Sequence, residues 1–191
     1  MKPILYIIAG PNGAGKTTAS FNILPNVLNC REFVNADEIA KGLSPFDVES
    51  VAIPAGKLML ERIEFLLNQK STFAIETTLA TRSYTNLIKR AKALGYEVNL
   101  LFFWLNSPEM AYQRVLKRVS QGGHNIPKEV IFRRYWLGLQ NLFNIFMPMV
   151  DFWELHNNSL ETTLIANKDN IIDKQLYHSI KVSCLKRSEK N

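Results

Sequence analysis

The sequence predicts an α/β fold of three layers, in which helices cover both faces of a mostly parallel central sheet and a helical lid lies at its edge. Apolar runs alternate with helical segments along the chain, which is typical of βαβ units. The first apolar run, residues 4–9, leads into GPNGAGKT at residues 10–17, a match to the phosphate-loop pattern G-x-x-x-x-G-K-[ST]. An arginine-rich stretch at residues 114–134 surrounds a double glycine and predicts the lid. These observations indicate the fold shared by P-loop NTPases and kinases.

The individual elements follow from apolar runs and from helix-start and helix-stop residues. Pro25 is expected to end the first helix, and Pro54 to kink or divide the third. Ser44 and Pro45 form a helix start, while Gly95 marks a helix end. In order, we expect a strand at residues 4–9, a helix at 17–24, a strand at 32–35 that ends in 36–38, a helix from 44, a strand at 72–75, a helix at 84–94, a strand at 98–105, helices at 107–122 and 125–147, strands at 152–156 and 162–166, and a helix near 169–185.

Composition sets further bounds. A chain of 191 residues with 47% hydrophobic residues suits one domain, residues 1–191, around one core. No apolar run reaches the roughly 18 residues that a membrane span requires, and the two cysteines form no metal-binding pattern, so we expect a cytoplasmic protein with reduced thiols. The net charge of +6, part of it in a basic tail at residues 181–191, can indicate a nucleic-acid partner or an enzyme that handles polyphosphates, and we favour the enzyme.

Residues 10–18 are predicted to bind the phosphates of a nucleoside triphosphate. Glycines let successive N–H groups turn inward, and the N-terminus of the following helix adds partial positive charge. Lys16 can reach the β- and γ-phosphates, and the Thr17 hydroxyl can take one position on Mg²⁺. The residues expected to contact the nucleotide are Gly10, Pro11, Asn12, Gly13, Ala14, Gly15, Lys16, Thr17 and Thr18.

Other P-loop classes fit the sequence less well. The GTPase motif N-K-x-D has only a near match at residues 167–170, where Asn170 replaces the aspartate. The longest strand ends in Leu105-Asn106-Ser107 rather than in the Asp-Glu pair of transport ATPases. The chain is also short for a helicase. A small phosphotransferase remains.

Two carboxylates follow predicted strands at the edge where open parallel sheets bind ligands. They are Asp37 and Glu76. One can accept the proton of a phosphate acceptor, and the other can orient Mg²⁺-bound water. We therefore predict both as catalytic and acceptor-binding residues, and we extend the acceptor contacts to Thr77, Thr78 and Arg82.

The predicted lid consists of two helices joined by a glycine loop. Arg114 and Arg118, four residues apart, share a helical face, and Arg133 and Arg134 lie on the next helix. Arginine forks pair with phosphate oxygens, so such a lid can close over the triphosphate. We predict Arg118, Arg133 and Arg134 as catalytic residues and expect His124, in the loop, to contact the acceptor.

Four segments together resemble a known family. They are residues 10–18, NADEI at 35–39, IETTL at 75–79 and GGHNIP at 122–127, and the similarity extends to about residue 166. In this order they are similar to the zeta-toxin-like kinases, more closely to the chromosomal branch often labelled "predicted ABC-type ATPase". The resemblance implies a fold close to the nucleoside-monophosphate kinases, ATP and Mg²⁺ as cofactors, and phosphorylation of the amino-sugar 3′-hydroxyl of UDP-N-acetylglucosamine.

The resemblance also implies roles for single residues and for a partner. By position, Lys16 matches the phosphate-binding lysine and Asp37 the general base. Glu76 matches a carboxylate of the site, and Arg118 matches a lid arginine that stabilises transferred charge. A toxin of this kind implies a small antitoxin protein as partner.

In two places the chain departs from the family pattern. Toxins usually carry a second lid arginine shortly before the position of Pro127, so that His124, Arg133 or Arg134 has to replace it here. Ala40 stands where a basic residue often follows the base motif. Our leading expectation is a small-molecule kinase with a nucleotide-sugar acceptor. The alternatives are a kinase for nucleic-acid hydroxyl ends and a nucleotide-binding switch without an acceptor.

Overall fold

The computed structural model describes residues 2–123 and 125–188, and its centre is a six-stranded sheet. The strands are β1 (Ile4–Ala9), β2 (Glu32–Val34), β3 (Phe73–Thr77), β4 (Glu97–Trp104), β5 (Phe152–Asn157) and β6 (Thr163–Asn167). Their order in the sheet is β2-β3-β1-β4-β5-β6. The neighbours from β2 to β5 run parallel, and β6 is antiparallel to β5. The predicted mostly parallel α/β class is confirmed.

Helices connect the strands and cover both faces of the sheet. Because parallel crossovers are right-handed, the chain places its helices on opposite faces when it reverses direction after β2. No helix of the described residues combines the length and apolar character needed to cross a membrane. The helices are α1 (Lys16–Asn26), α2 (Ala36–Leu43), α3 (Ala52–Asn68), α4 (Tyr84–Ala93), α5 (Pro108–Val119), α6 (Lys128–Asn141), which continues through a π-helical segment (Leu142–Phe146) into α7 (Met147–Met149), and α8 (Lys174–Ser188).

The core is built around the three central strands. Leu5 and Ile7 of β1, Phe73 and Ile75 of β3, and Phe102 of β4 are completely buried. In each of these strands the neighbouring residues are buried as well, as expected for a parallel sheet covered on both faces. Since each such side chain contributes about 1.5–3 kcal/mol when it leaves water, these strands form a rigid base for the loops at their carboxyl ends.

The segment after β2 differs from the prediction. Residues 36–38 begin α2 instead of ending the strand, because the Asn35 side chain caps the helix and accepts the N–H of Asp37 at 2.8 Å. Ser44 ends this helix rather than starting the next one, since its N–H donates to the carbonyl of Ala40 at 2.9 Å. A separate helix, α2, therefore carries Asp37.

Two prolines also behave differently from the prediction. Pro54 lies in the first turn of α3, where no intrahelical N–H bond is required, so the helix runs on to Asn68 without division. Pro25 lies in the last turn of α1, and the helix ends one residue after it at Asn26. Gly95, with φ of 90°, follows α4 as predicted.

Candidate active site

The phosphate loop joins the carboxyl end of β1 to the N-terminus of α1 and is pressed against its neighbours. At Gly10, φ is 143° and a Cβ atom would collide with the carbonyl oxygen of Phe103. At Gly13, φ is 77° and a Cβ atom would lie 2.6 Å from the carbonyl oxygen of Ala111. Only glycine fits at both positions. The resulting cradle ends at the start of a helix, where backbone N–H groups suit polyphosphate oxygens.

Lys16 lies buried at the centre of this site. Its Nζ donates to the Pro11 carbonyl at 3.1 Å and lies 3.5 Å from Oε1 of Glu76. Burial lowers the pKa of Lys16, the Glu76 and Asp37 carboxylates act in the opposite direction, and the Arg118 guanidinium lowers the pKa further. The phosphate-loop lysine therefore lies within electrostatic range of three predicted site residues from three different elements.

Glu76 connects the phosphate loop to the segment after β2. Its Oε2 accepts hydrogen bonds from the Thr17 hydroxyl at 2.8 Å and from Nδ2 of Asn35 at 2.9 Å. Its side chain is 10% exposed. Because Mg²⁺ prefers hard oxygen ligands, the adjacent hydroxyl of Thr17 and carboxylate of Glu76 fit this ion, directly or through water. Among residues 2–123 and 125–188, no group of three or more His, Cys, Asp or Glu could hold a metal ion.

Asp37 differs from Glu76 in its exposure. It lies in the first turn of α2 and is exposed, whereas Glu76 is almost fully buried. The Glu76 carboxylate lies beside Lys16, and the charge of the exposed Asp37 carboxylate also acts on this lysine. Arg82, the third charged residue expected at the acceptor, is exposed in the turn before α4.

The predicted acceptor residues Thr77 and Thr78 lie at the end of β3 and at the start of the loop after it, and this loop is held by α6. The Thr77 hydroxyl accepts the N–H of Leu79 at 3.0 Å, and Leu79 has a φ of 54° although it is completely buried. Nδ2 of Asn141 donates to the Leu79 carbonyl at 2.7 Å. Gly138 packs directly on the Thr78 carbonyl, where a Cβ atom would collide. Helix α6 therefore fixes the backbone immediately after Glu76.

The predicted lid arginines lie at different depths. Arg118, near the end of α5, is partly buried, and its aliphatic stem passes beside Gly123, which has no side chain in the way. On α6, Arg133 is exposed and Arg134 is partly buried. His124 lies outside the described residues. Arg118 is the lid arginine whose charge acts on Lys16.

Arg114 was predicted to face the triphosphate together with Arg118, but its side chain binds the turn after β5 instead. Its guanidinium donates to the carbonyls of Asn158 at 2.8 Å and Ser159 at 2.7 Å, in the turn after β5. Nδ2 of Asn158 in turn donates to the Ala14 carbonyl of the phosphate loop at 2.6 Å. Sequence analysis missed Asn158, and the only available signal was its position after a strand at the ligand-binding edge. Arg114 and Asn158 therefore support the phosphate loop from outside.

A cleft of about 320 Å³ opens between the turn after α2 and the loop after α5. Lys41 lies at its α2 end, four residues after Asp37 and hence on the same helical face. Phe46, which is fully exposed, lies in the turn after α2. The lining is completed by Pro45, Asp47, Val48, Glu49, Gly122 and Gly123.

A phosphate loop at the carboxyl edge of a parallel sheet, with the Glu76 carboxylate beside its lysine, defines a P-loop protein of the kinase fold. The sequence model of the zeta toxin family matches residues 1–172. An "Uncharacterized protein" of Haemophilus influenzae is 32% identical over 135 residues, which are 70% of this chain and 92% of that protein. The chain belongs to the zeta toxin family, and the family predicted from the four motifs is confirmed.

Solved structures have the same fold. A chain of the AvrRxo1-ORF1:AvrRxo1-ORF2 structure with ATP matches with a TM-score of 0.77 at 18% identity, over 94% of this chain. This chain spans only 63% of the length of that one. A chain of the PezAT chromosomal toxin–antitoxin system of Streptococcus pneumoniae matches with a TM-score of 0.70 at 18% identity, over 99% of this chain and 87% of the other. These matches confirm the predicted P-loop α/β fold.

Proposed function

We propose that this chain is an ATP- and Mg²⁺-dependent kinase that phosphorylates a hydroxyl of a small molecule, with a nucleotide sugar such as UDP-N-acetylglucosamine as the best single acceptor. The observation that carries the proposal is the buried phosphate-loop lysine, Lys16, with Glu76, Asp37 and Arg118 in electrostatic range. Membership of the zeta toxin family supports the same reaction class. The ATP named for the AvrRxo1 structure supports the choice of nucleotide.

In the proposed reaction, the buried side chains bind the nucleotide and the exposed carboxylate acts on the acceptor. Lys16 and the loop N–H groups bind the β- and γ-phosphates, and Thr17 and Glu76 hold Mg²⁺, which neutralises phosphate charge. The exposed Asp37 accepts the proton of the acceptor hydroxyl as its oxygen bonds to the γ-phosphorus. The bond from the γ-phosphorus to the bridging oxygen breaks, and ADP leaves. Arg118 stabilises the charge that develops on the transferred group, and Arg133 and Arg134 are proposed to assist from α6.

The remainder of the acceptor is proposed to occupy the cleft beside α2. The cleft begins one helical turn from Asp37, the proposed base, so an acceptor with its hydroxyl at Asp37 can extend into it. The exposed ring of Phe46 can stack on a base or sugar ring, and the Lys41 ammonium suits an acidic group. Thr77, Thr78, Arg82 and His124 are proposed as further acceptor contacts.

A partner and a location are proposed with the activity. One of the two solved structures is named for two proteins, AvrRxo1-ORF1 and -ORF2, and the other for the PezAT toxin–antitoxin system. We propose a small antitoxin protein as the corresponding partner of this chain. Because the reaction requires ATP, the cytoplasm is the proposed compartment. The net charge of +6 favours a nucleic-acid hydroxyl end as the second candidate acceptor, which steep inhibition by salt would reveal.

The test is incubation of the purified protein with Mg²⁺-ATP and UDP-N-acetylglucosamine, with the products followed by mass spectrometry. We expect a phosphorylated sugar nucleotide and ADP from the wild type and from an Asp173→Asn control, in which the substituted residue caps α8 far from the site. We expect neither product from Lys16→Ala or Asp37→Asn. ADP without a phosphorylated sugar would contradict this acceptor, and transfer that survives Asp37→Asn would contradict the proposed base.

A further inference from the structure

Asn35 contacts both segments that carry the proposed catalytic carboxylates, although it was not among the site residues predicted from the sequence. We propose that Asn35 is a positioning residue, which fixes the Glu76 carboxylate against the phosphate loop and at the same time sets the first turn of α2 under Asp37. The inference rests on the proposed function, because it concerns the same site.

The sheet register brings Asn35 to Glu76. In the parallel pair of β2 and β3, Val34 lies opposite Ile75. The residues that follow these two, Asn35 and Glu76, are therefore neighbours. Asn35 is 5% exposed, and Nδ2 donates to Oε2 of Glu76 at 2.9 Å. Its Oδ1 accepts the N–H of Asp37 at 2.8 Å. Both ends of one short amide are therefore used.

The Glu76 contact decides how the buried carboxylate is oriented. Oε2 receives two donors, the Asn35 amide and the Thr17 hydroxyl, while Oε1 faces Lys16 at 3.5 Å. Without the amide, Oε2 would lose one of the two donors that fix its plane, and a buried carboxylate depends on such donors. The carboxylate would then be free to rotate away from the Thr17 hydroxyl, where the proposed Mg²⁺ position lies.

The Asp37 contact is a helix cap. Asn35 is the N-cap of α2, and Asp37 is the second residue of the helix. Serine can provide the same cap, because its hydroxyl also accepts an N–H of the first turn. Serine is too short to reach Glu76 as well. Substitution by serine therefore separates the two roles of Asn35, whereas alanine removes both.

The test uses Asn35→Ser, Asn35→Ala and a matched control, Ser107→Ala, which removes the cap of α5 but does not touch Glu76. Two quantities are measured by thermal unfolding: Tm without ligand, and the Mg²⁺ concentration that gives half of the Tm increase caused by ATP. Loss of a cap is expected to lower Tm by a few degrees in Asn35→Ala and Ser107→Ala, but not in Asn35→Ser. The half-maximal Mg²⁺ concentration is expected to rise about fivefold in both Asn35 variants and to stay unchanged in Ser107→Ala.

Each other outcome contradicts the inference. A wild-type Mg²⁺ requirement in Asn35→Ser would reduce Asn35 to a helix cap. An increased Mg²⁺ requirement in Ser107→Ala would show that the shift follows general stability. If ATP with Mg²⁺ does not raise the Tm of the wild type, the proposed nucleotide site is wrong and this inference falls with it, whereas the Asn35→Ser result contradicts the inference alone.

Discussion

On the strand side of the candidate active site, formed by Lys16, Thr17 and Glu76, the Glu76 carboxylate lies 3.5 Å from Lys16 and 2.8 Å from the Thr17 hydroxyl. The lysine and the carboxylate are almost fully buried. On the helix side, formed by the arginines of α5 and α6, Arg133 is exposed and Arg118 is partly buried. The strand side is thus assembled by the fold itself, because Glu76 lies at the end of β3 and Lys16 and Thr17 begin α1 after the phosphate loop. The helix side keeps charge near the surface for an incoming ligand. From this difference we expect nucleotide binding to depend on the strand side and transition-state charge to be stabilised from the helix side.

The helices of the predicted lid, α5 and α6, are nevertheless anchored to each other and to the sheet. The Lys128 ammonium lies over the rings of Tyr112 and Phe132, 5.5 and 5.3 Å from their centroids. The Tyr135 hydroxyl donates to the Leu105 carbonyl at 2.5 Å, at the end of β4. Closure over a ligand is therefore expected to involve the loop after α5 and the arginine side chains rather than a movement of both helices.

The largest effect is expected from Arg118→Ala. If the helix side acts on the transition state, this change lowers kcat for phosphate transfer by about 10²–10³-fold, as expected when one donor to developing charge is lost. Steady-state kinetics measure the loss. Arg62→Ala is the control, because Arg62 forms an exposed ion pair with Glu32 at 2.6 Å, and its kcat is expected to stay within twofold of wild type. A wild-type kcat in Arg118→Ala would remove the catalytic role of the lid.

Two glycine substitutions test how firmly α6 holds the loop after Glu76. Gly138→Ala forces a Cβ atom onto the Thr78 carbonyl and is expected to cost about 1–3 kcal/mol of unfolding free energy. Gly56→Ala lies in α3 with open space around it and is expected to stabilise the protein by about 0.5–1 kcal/mol. Urea unfolding measures both values. Equal effects of the two substitutions would contradict the packing described for α6.

A smaller effect is expected in the acceptor cleft. Phe46→Ala removes an exposed ring and is expected to raise the acceptor KM about three- to tenfold, with ATP KM and Tm unchanged. Kinetics with UDP-N-acetylglucosamine measure this effect. Phe65→Ala is the control, since Phe65 is 52% exposed on α3 and lies under the Arg62 guanidinium, outside the cleft. If both variants behave alike, the cleft does not bind the acceptor.

The strand side was largely predictable from the sequence. The phosphate-loop motif and the position of Glu76 after an apolar run depend on local pattern, and local pattern also determines β1 and β3. The start of α2 was predictable too, because Asn35 before Ala36-Asp37-Glu38 is an N-cap followed by acidic residues of a first turn. The prediction instead assigned residues 36–38 to the end of the preceding strand, although they begin α2.

The helix side shows what the sequence could not provide. Arg114 and Arg118 share residue type, helix and face, yet Arg114 binds the turn after β5 while Arg118 lies in range of Lys16. Only the fold brings Asn158 next to the phosphate loop, across 144 residues of sequence. Spacing within a helix predicts a shared face but not the distant carbonyls that this face meets.

The most direct test of this division is calorimetric titration of a Mg²⁺-bound, non-hydrolysable ATP analogue into the wild type, Lys16→Ala and Arg118→Ala. We predict roughly tenfold to hundredfold weaker binding in Lys16→Ala, because a buried charged donor to phosphate is lost. We predict a Kd within about threefold of wild type for Arg118→Ala, because Arg118 is proposed to act on the transition state rather than on bound nucleotide. A Kd that rises in Arg118→Ala as much as in Lys16→Ala would contradict the proposed division between the strand side and the helix side.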